Sequence, residues 1–85
     1  QSPVPAGTKL LDVRVTGTLC TAVLSEEFSA CDTGREAASL AVRSVVATLC
    51  ALSEIEQVQL QLQSGEDLVY CSIAQPLKPE WSWYN

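Results

Sequence analysis

The sequence predicts a small α+β fold, in which one long helix packs on one face of a sheet in the order strand, strand, helix, strand, strand. Across residues 35–52, apolar side chains recur every three or four positions without Pro or Gly, as in an amphipathic helix. Across residues 57–63, Gln alternates with Val or Leu, which is typical of a strand with one buried and one wet face. Since helix and strand each have one apolar side, we expect those sides to bury each other.

The first two strands are predicted to form a hairpin. Apolar and polar side chains alternate over residues 9–16, and a second strand follows over residues 19–24. Gly17 and Thr18 lie between them and suit a tight turn, because Gly tolerates the positive φ that a two-residue hairpin requires. The second and third strands are joined through the helix, so they would run parallel if adjacent.

Local signals also mark the start of the helix and a fourth strand. Thr33 and Glu36 have the spacing of a capping box, in which each side chain satisfies a backbone N–H of the other. Residues 64–67 indicate a turn, and residues 68–73 are predicted to form the fourth strand. Pro76 and Pro79 are predicted to end regular structure.

One helix covers a four-stranded sheet poorly, and the predicted register leaves apolar side chains on the far face. We expect these residues to point toward the helix: Leu11, Val13, Val15, Cys20, Ala22, Leu24, Val69, Cys71 and Ile73. We expect these to point away from it: Leu10, Leu19, Val23, Leu68 and Tyr70. Another part of the parent chain, or a second copy forming a homodimer, is predicted to cover this uncovered face.

The length and net charge of the chain limit the classes of function that it can have. Eighty-five residues make a single domain with a thin core, and we assign residues 1–85 to it, with residues 1–8 resembling a linker. The net charge of −5 disfavours nucleic acid and anionic membrane surfaces, which need a cationic footprint. The longest apolar runs are well short of a bilayer span, so we expect no direct membrane insertion by this segment.

The four cysteines and the lack of histidine predict no catalytic, metal or cofactor site. The cysteines stand at positions 20, 31, 50 and 71, without the close pair that a structural zinc site uses. A catalytic thiolate would also lack its usual imidazole partner. Disulfides and thiols are both open alternatives. If a bond forms, Cys20 with Cys71 is the least strained pair, because both are predicted to point inward from neighbouring strands.

Two surface features are candidates for an interaction site. A row of amides follows the third strand, and an aromatic cluster closes the chain: Gln57, Gln59, Gln61, Gln63, Trp81, Trp83 and Tyr84. Amides both donate and accept hydrogen bonds, and Trp and Tyr combine large area with a polar group. The alternatives are a solvated sheet face and a C-terminal segment that folds back on the thin core.

Five segments in order carry a resemblance to a known family. They are residues 5–13, 22–28, 41–49, 55–60 and 72–77, which read PAGTKLLDV, AVLSEEF, AVRSVVATL, IEQVQL and SIAQPL. This succession resembles the GerMN domain of bacterial spore germination and sporulation lipoproteins. The resemblance implies a non-enzymatic, extracytoplasmic module without cofactor, tethered to a membrane in its parent protein and binding a protein or an envelope component.

The match to the family pattern is incomplete. The strand and helix that usually precede the Pro-Ala-Gly-Thr segment have no counterpart here, so the chain is expected to be the C-terminal portion of such a domain. The family does not depend on cysteines, which favours thiols over disulfides.

A cystatin-like inhibitor of cysteine proteases is the alternative hypothesis. Residues 61–65, which read QLQSG, resemble a cystatin inhibitory loop if they lie in a hairpin, and Trp81 would supply the second wedge. Cystatins have Val where Gln63 stands, and their Trp follows Pro directly, whereas Glu80 intervenes here.

Overall fold

The computed structural model of the chain describes residues 2–52 and 54–79. The regular elements are β1 (Leu10–Thr16), β2 (Leu19–Leu24), a short 3₁₀ helix (Glu26–Cys31), α1 (Arg35–Cys50) and β3 (Gln57–Leu62). The predicted α+β class is confirmed, with one long helix packed against a mixed sheet. The sheet has three strands among the described residues, where four were predicted.

The sheet has β2 at its centre. β1 and β2 pair antiparallel across Gly17 and Thr18, and β2 and β3 pair parallel, as the helical connection predicted. Gly17 has φ of 61°, which allows the type II′ turn whose twist matches the two strands. This order leaves β1 and β3 at the two edges.

The core lies between α1 and the faces of β2 and β3. Burial alternates along both strands. The period-2 pattern predicted this for β3, whereas both faces of β2 are apolar in sequence, and there the structure confirms the expected inward set. The side chains that the helix and the two strands bury are Ala38, Ser39, Ala41, Val42, Val46, Leu49, Cys20, Ala22, Leu24, Val58, Leu60 and Leu62. Phe28, from the 3₁₀ helix, is fully buried against them.

The helix differs from prediction at its start and in its rotation. Gly34 is the N-cap and no side chain caps the helix, so the capping box of Thr33 and Glu36 is not formed. Thr33 instead donates its N–H to the carbonyl of Cys31 at 2.9 Å, which forms a γ-turn between the 3₁₀ helix and α1. The amphipathic pattern of residues 35–52 predicts that polar residues face water and apolar ones face the sheet, yet Ser39 is buried and Leu52, beyond the last helical turn, is 55% exposed.

The predicted fourth strand over residues 68–73 is wrong, because two carboxylates bind the backbone N–H groups that a strand would use. Asp67 accepts from the N–H of residues 68 and 73 at 2.8 and 2.7 Å. Asp32 accepts from the N–H of residues 69 and 70 at 2.8 and 2.9 Å. Residues 68–73 therefore form an irregular loop that is held in place by acidic side chains.

The chain returns to the sheet at Leu77. Its N–H and carbonyl each bond to Val58 at 2.9 Å, forming one antiparallel bridge on the outer edge of β3. The loop also reverses the predicted facing of two residues. Leu68 is buried in the core, whereas Val69 is 83% exposed.

A bulge shifts the register at the beginning of β1. Val13 and Val15 lie opposite Ala22 and Cys20, on the helix side as predicted. The bulge lies between residues 10 and 12, so that Leu10 pairs with Leu24. Leu10 therefore faces the helix side of the sheet, and its predicted outward position is wrong.

Candidate interaction surface

β1 differs from the other strands in that all seven of its residues are exposed. α1 packs over β3 and the centre of the sheet and leaves the helix side of β1 uncovered. Leu10, Val13 and Val15 lie on that side and are 51%, 41% and 56% exposed. The helix side of β1 is thus an uncovered apolar surface. On the far face that the sequence indicated, Leu19 and Val23 of β2 are half-buried.

An apolar groove runs between β1 and α1. It has a volume of about 260 Å³ and is lined by Val4, Thr8, Leu10, Leu24, Val45, Thr48 and Leu49. The Thr8 hydroxyl is buried at the groove without a hydrogen-bond partner. Val4 and Thr8 belong to the predicted linker, which here packs against the domain: the Lys9 N–H donates to Ser25 Oγ at 2.8 Å.

The outer backbone edge of β1 is open among the described residues. Thr16 and Leu19 close the two-residue turn, and in such hairpins this pair is hydrogen-bonded and the next pair is not. The backbone groups of Arg14 and Asp12 therefore point toward β2, and those of Val13 and Val15 point outward. No other described segment pairs with that edge.

The glutamine row is only partly available. Gln61 and Gln63 are exposed, whereas Gln57 and Gln59 are half-buried. The Gln59 amide donates to the carbonyl of Ile73 at 2.6 Å, which ties β3 to the loop that follows it. The row does point away from the helix, as the alternation predicted, but Gln59 serves an internal contact.

Asp67 and Asp32 are site residues that the sequence interpretation missed. Burial works against the charge of Asp67, but hydrogen bonds from the Ser72 hydroxyl and from the N–H groups of residues 73 and 68 outweigh it and lower its pKa. Asp67 also lines a cavity of about 340 Å³ beside Gln61 and Ile73. Asp67 is the last residue of the predicted turn, and Asp side chains in turns commonly accept nearby backbone N–H groups, so its bonds could have been predicted. The bonds of Asp32 join segments far apart in sequence, and no local pattern indicates them.

The four cysteines are thiols in the structure. The proposed pairing of Cys20 with Cys71 relied on a fourth strand that is not formed. Cys71 instead shares a hydrogen bond with Ser39, and its charge affects Cys31. Burial, Asp32 and Cys71 raise the pKa of the Cys31 thiol to about 11, and burial raises the pKa of Cys20 and Cys71. These thiols are therefore poor nucleophiles at neutral pH.

Other predicted features are not part of a described site. Trp81, Trp83 and Tyr84 lie outside the described residues. Within the described ranges, no cluster of three or more His, Cys, Asp or Glu side chains is arranged to hold a metal ion. In the same ranges, no helix combines the length and the apolar character needed to cross a bilayer.

The cystatin hypothesis required residues 61–65 to turn between two strands, and among the described residues no strand follows β3.

Comparisons with known proteins place the chain in a family. A search of curated proteins gave no match. A crystal structure described as a "putative lipoprotein" from Clostridium perfringens is similar in fold, with a TM-score of 0.77 at 18% identity over 92% of this chain. The chain spans 54% of that protein. The Germane family, described as "Sporulation and spore germination", matches residues 1–68. Because this match covers most of the sequence, the chain belongs to the Germane family of sporulation and spore germination domains.

Proposed function

We propose that the chain is a GerMN-type domain that acts as a non-catalytic interaction module. Its parent would be an extracytoplasmic, membrane-tethered lipoprotein of the cell envelope that acts in sporulation or germination. Family membership and the fold shared with the C. perfringens lipoprotein support this assignment. The raised thiol pKa values and the lack of histidine in the sequence support a role without nucleophilic catalysis.

The open edge of β1 is the observation that carries the proposal. A strand with unpaired backbone groups is a template for another strand, and native proteins usually protect such edges. Here the strand also exposes Val13 and Val15 next to an apolar groove. Pairing at this edge would satisfy the outward backbone groups and cover the apolar side chains in one step.

The sequence of β1 favours a second copy of this chain as the occupant. If two copies of β1 pair antiparallel about Val13, Asp12 of each copy lies directly opposite Arg14 of the other. The two Val13 residues then meet at a pair with outward backbone groups, with their side chains on the helix side of both sheets. Opposite charges and apolar pairs across neighbouring strands stabilise a sheet. The result would be a continuous six-stranded sheet.

Light scattering over a roughly hundredfold range of concentration tests this association. We expect the mass to rise from that of the 9.1 kDa chain toward twice that value. Val15→Lys should keep the chain monomeric, because it places a charge in the pairing face. Val69→Lys is the matched control, since Val69 is exposed but lies on the distant loop. A wild-type chain that stays monomeric, or equal loss of association in both variants, would contradict the proposal.

A charge exchange tests the register itself. Asp12→Arg should weaken association, because it places like charges opposite each other across the pair. The double variant Asp12→Arg, Arg14→Asp should restore association, because the opposite charges face each other again. If a different protein or an envelope component occupies the edge, Asp12→Arg would leave the mass of the purified chain unchanged, and the homodimer would be excluded.

A further inference from the structure

Asp32 brings two distant segments of the chain together. Its carboxylate oxygens accept from the N–H groups of Val69 and Tyr70 at 2.8 and 2.9 Å. Cys31 immediately precedes Asp32, and Cys71 immediately follows Tyr70. The hydrogen bonds therefore bring the two cysteines into the same part of the fold, although 40 positions separate them in sequence.

Packing against the helix fixes the same two residues from the other side. Cys31 is a buried member of the core, and Cys71 is half-buried and packs against that core. Cys71 also shares a hydrogen bond with Ser39, in the second turn of α1. Burial raises the pKa of both thiols, and the nearby charge of Asp32 adds to the rise at both; Cys71 also raises the pKa of Cys31, which agrees with this placement.

We propose that Cys31 and Cys71 form a disulfide when the chain meets a soluble disulfide or a thiol–disulfide oxidoreductase. The half-buried Cys71 thiolate attacks a sulfur of the oxidant, forms a mixed disulfide and releases one reduced thiolate. The Cys31 thiolate then attacks the Cys71 sulfur and releases the second. The two protein thiols lose two electrons and two protons in total, and the oxidant disulfide gains the electrons and becomes two thiols.

The bond would lock the loop that covers the edge of β3. It closes a ring of about 40 residues that contains α1 and β3, which is long enough to restrict the unfolded chain strongly. We expect the melting temperature of the oxidised chain to exceed that of the reduced chain by roughly 10 °C or more. This inference does not depend on the proposed homodimer, because the two cysteines lie at the β3 side of the sheet.

Equilibration in oxidised and reduced glutathione, followed by mass spectrometry, tests the pairing. Trypsin alone cannot assign it, since no Lys or Arg lies between Cys20 and Cys31 or between Cys50 and Cys71. A Glu-specific protease separates each couple, because Glu residues lie in both intervals. We expect one linked peptide pair containing Cys31 and Cys71. Dominant linkage through Cys20 or Cys50, or retention of all four thiols, would overturn the proposal.

Two variants serve as controls for misfolding and for non-specific oxidation. Cys20→Ala, Cys50→Ser keeps only the proposed pair and should lose both remaining thiols, with circular dichroism confirming the fold. Cys31→Ser should keep the fold and, in a mildly alkaline glutathione buffer that ionises more of the Cys71 thiol, accumulate the mixed disulfide at Cys71 that the wild-type chain resolves. If the Cys31→Ser variant forms an internal disulfide as readily as the wild-type chain, the assigned pair is wrong.

Discussion

β3 and β1 are the two edges of one sheet, and among the described residues the chain covers only the edge of β3. Leu77 bridges to Val58 there, and Gln59 bonds to the loop that follows the strand. β1 has no such partner and exposes Val13 and Val15 as well. Edge strands are sites of unwanted pairing unless they are covered or blocked. About 17 residues after β3 therefore close one edge of the sheet, and the other edge stays available for pairing.

The covered edge is held by side-chain carboxylates more than by a strand ladder. Asp67 and Asp32 together accept four backbone N–H groups of the loop. The open edge carries its own carboxylate, Asp12, which bonds to the exposed Arg14 at 3.2 Å. The first two carboxylates hold the loop to the rest of the fold, whereas the third is exposed and, among the described residues, bonds to a neighbouring side chain of its own strand.

The largest expected effect comes from releasing the covered edge at Leu77. Leu77 is 5% exposed, so Leu77→Ala removes buried apolar atoms and loosens the bridge to Val58. We expect a loss of about 2–4 kcal/mol in the free energy of unfolding, measured by urea denaturation. Val13→Ala, on the exposed strand, should change the stability of the monomer by less than about 1 kcal/mol. Equal costs at the two positions would contradict the comparison.

Replacing one aspartate at each edge should give a smaller difference in the free energy of unfolding. Asp32→Ala removes the acceptor of two backbone N–H groups, and because water can replace it at these exposed amides we expect a loss of about 1–2 kcal/mol. Asp12→Ala removes a surface ion pair, which should cost less than about 0.5 kcal/mol in the monomer. Urea denaturation at a concentration where the chain is monomeric measures both. A smaller cost for Asp32 than for Asp12 would show that the loop is held by other contacts.

Acid should weaken the covered edge through Asp67. The hydrogen bonds that lower the pKa of Asp67 in the folded chain stabilise its charged form. This contribution is fully present above the ordinary Asp pKa of about 3.9 and is lost as the pH falls through the folded value. Asp67→Asn should therefore be less stable than the wild type at pH 6, and the gap should shrink on acidification.

Denaturation series at several pH values measure this gap. Glu66→Gln is the matched control, because it removes the same charge from the adjacent residue, whose side chain is exposed. A gap for Asp67→Asn that stays constant down to pH 2 would mean that the carboxylate bonds do not stabilise the loop.

Sequence reasoning found the parts of the fold that depend on local periodicity. Alternation predicted β3, the three- and four-residue spacing predicted α1, and Gly17 predicted the hairpin turn. It failed where side-chain hydrogen bonds between distant segments determine the backbone conformation. Residues 68–73 alternate like a strand, but the N–H groups of residues 69 and 70 donate to Asp32, which is far away in sequence, and are not available for a strand ladder.

The sequence predicted that part of the sheet would stay uncovered, but it placed the exposed apolar residues on the side away from the helix. The sequence predicted a sheet face too large for one helix, and β1 is indeed uncovered. The bulge at residues 10–12 moves Leu10 to the helix side, and the absent fourth strand lets Leu68 enter the core. Bulges and loop closures depend on partners outside the local pattern, so alternation alone could not locate the exposed side.

Hydrogen–deuterium exchange at low and high concentrations of the wild-type chain shows directly whether the open edge of β1 pairs with another strand. The N–H groups of Val13 and Val15 point outward, whereas that of Arg14 already bonds toward β2. We predict that protection of Val13 and Val15 rises with concentration, while the loop residues Val69 and Tyr70 keep theirs unchanged. Exchange at Val13 and Val15 that is fast and independent of concentration would contradict the assignment of β1 as the interaction edge.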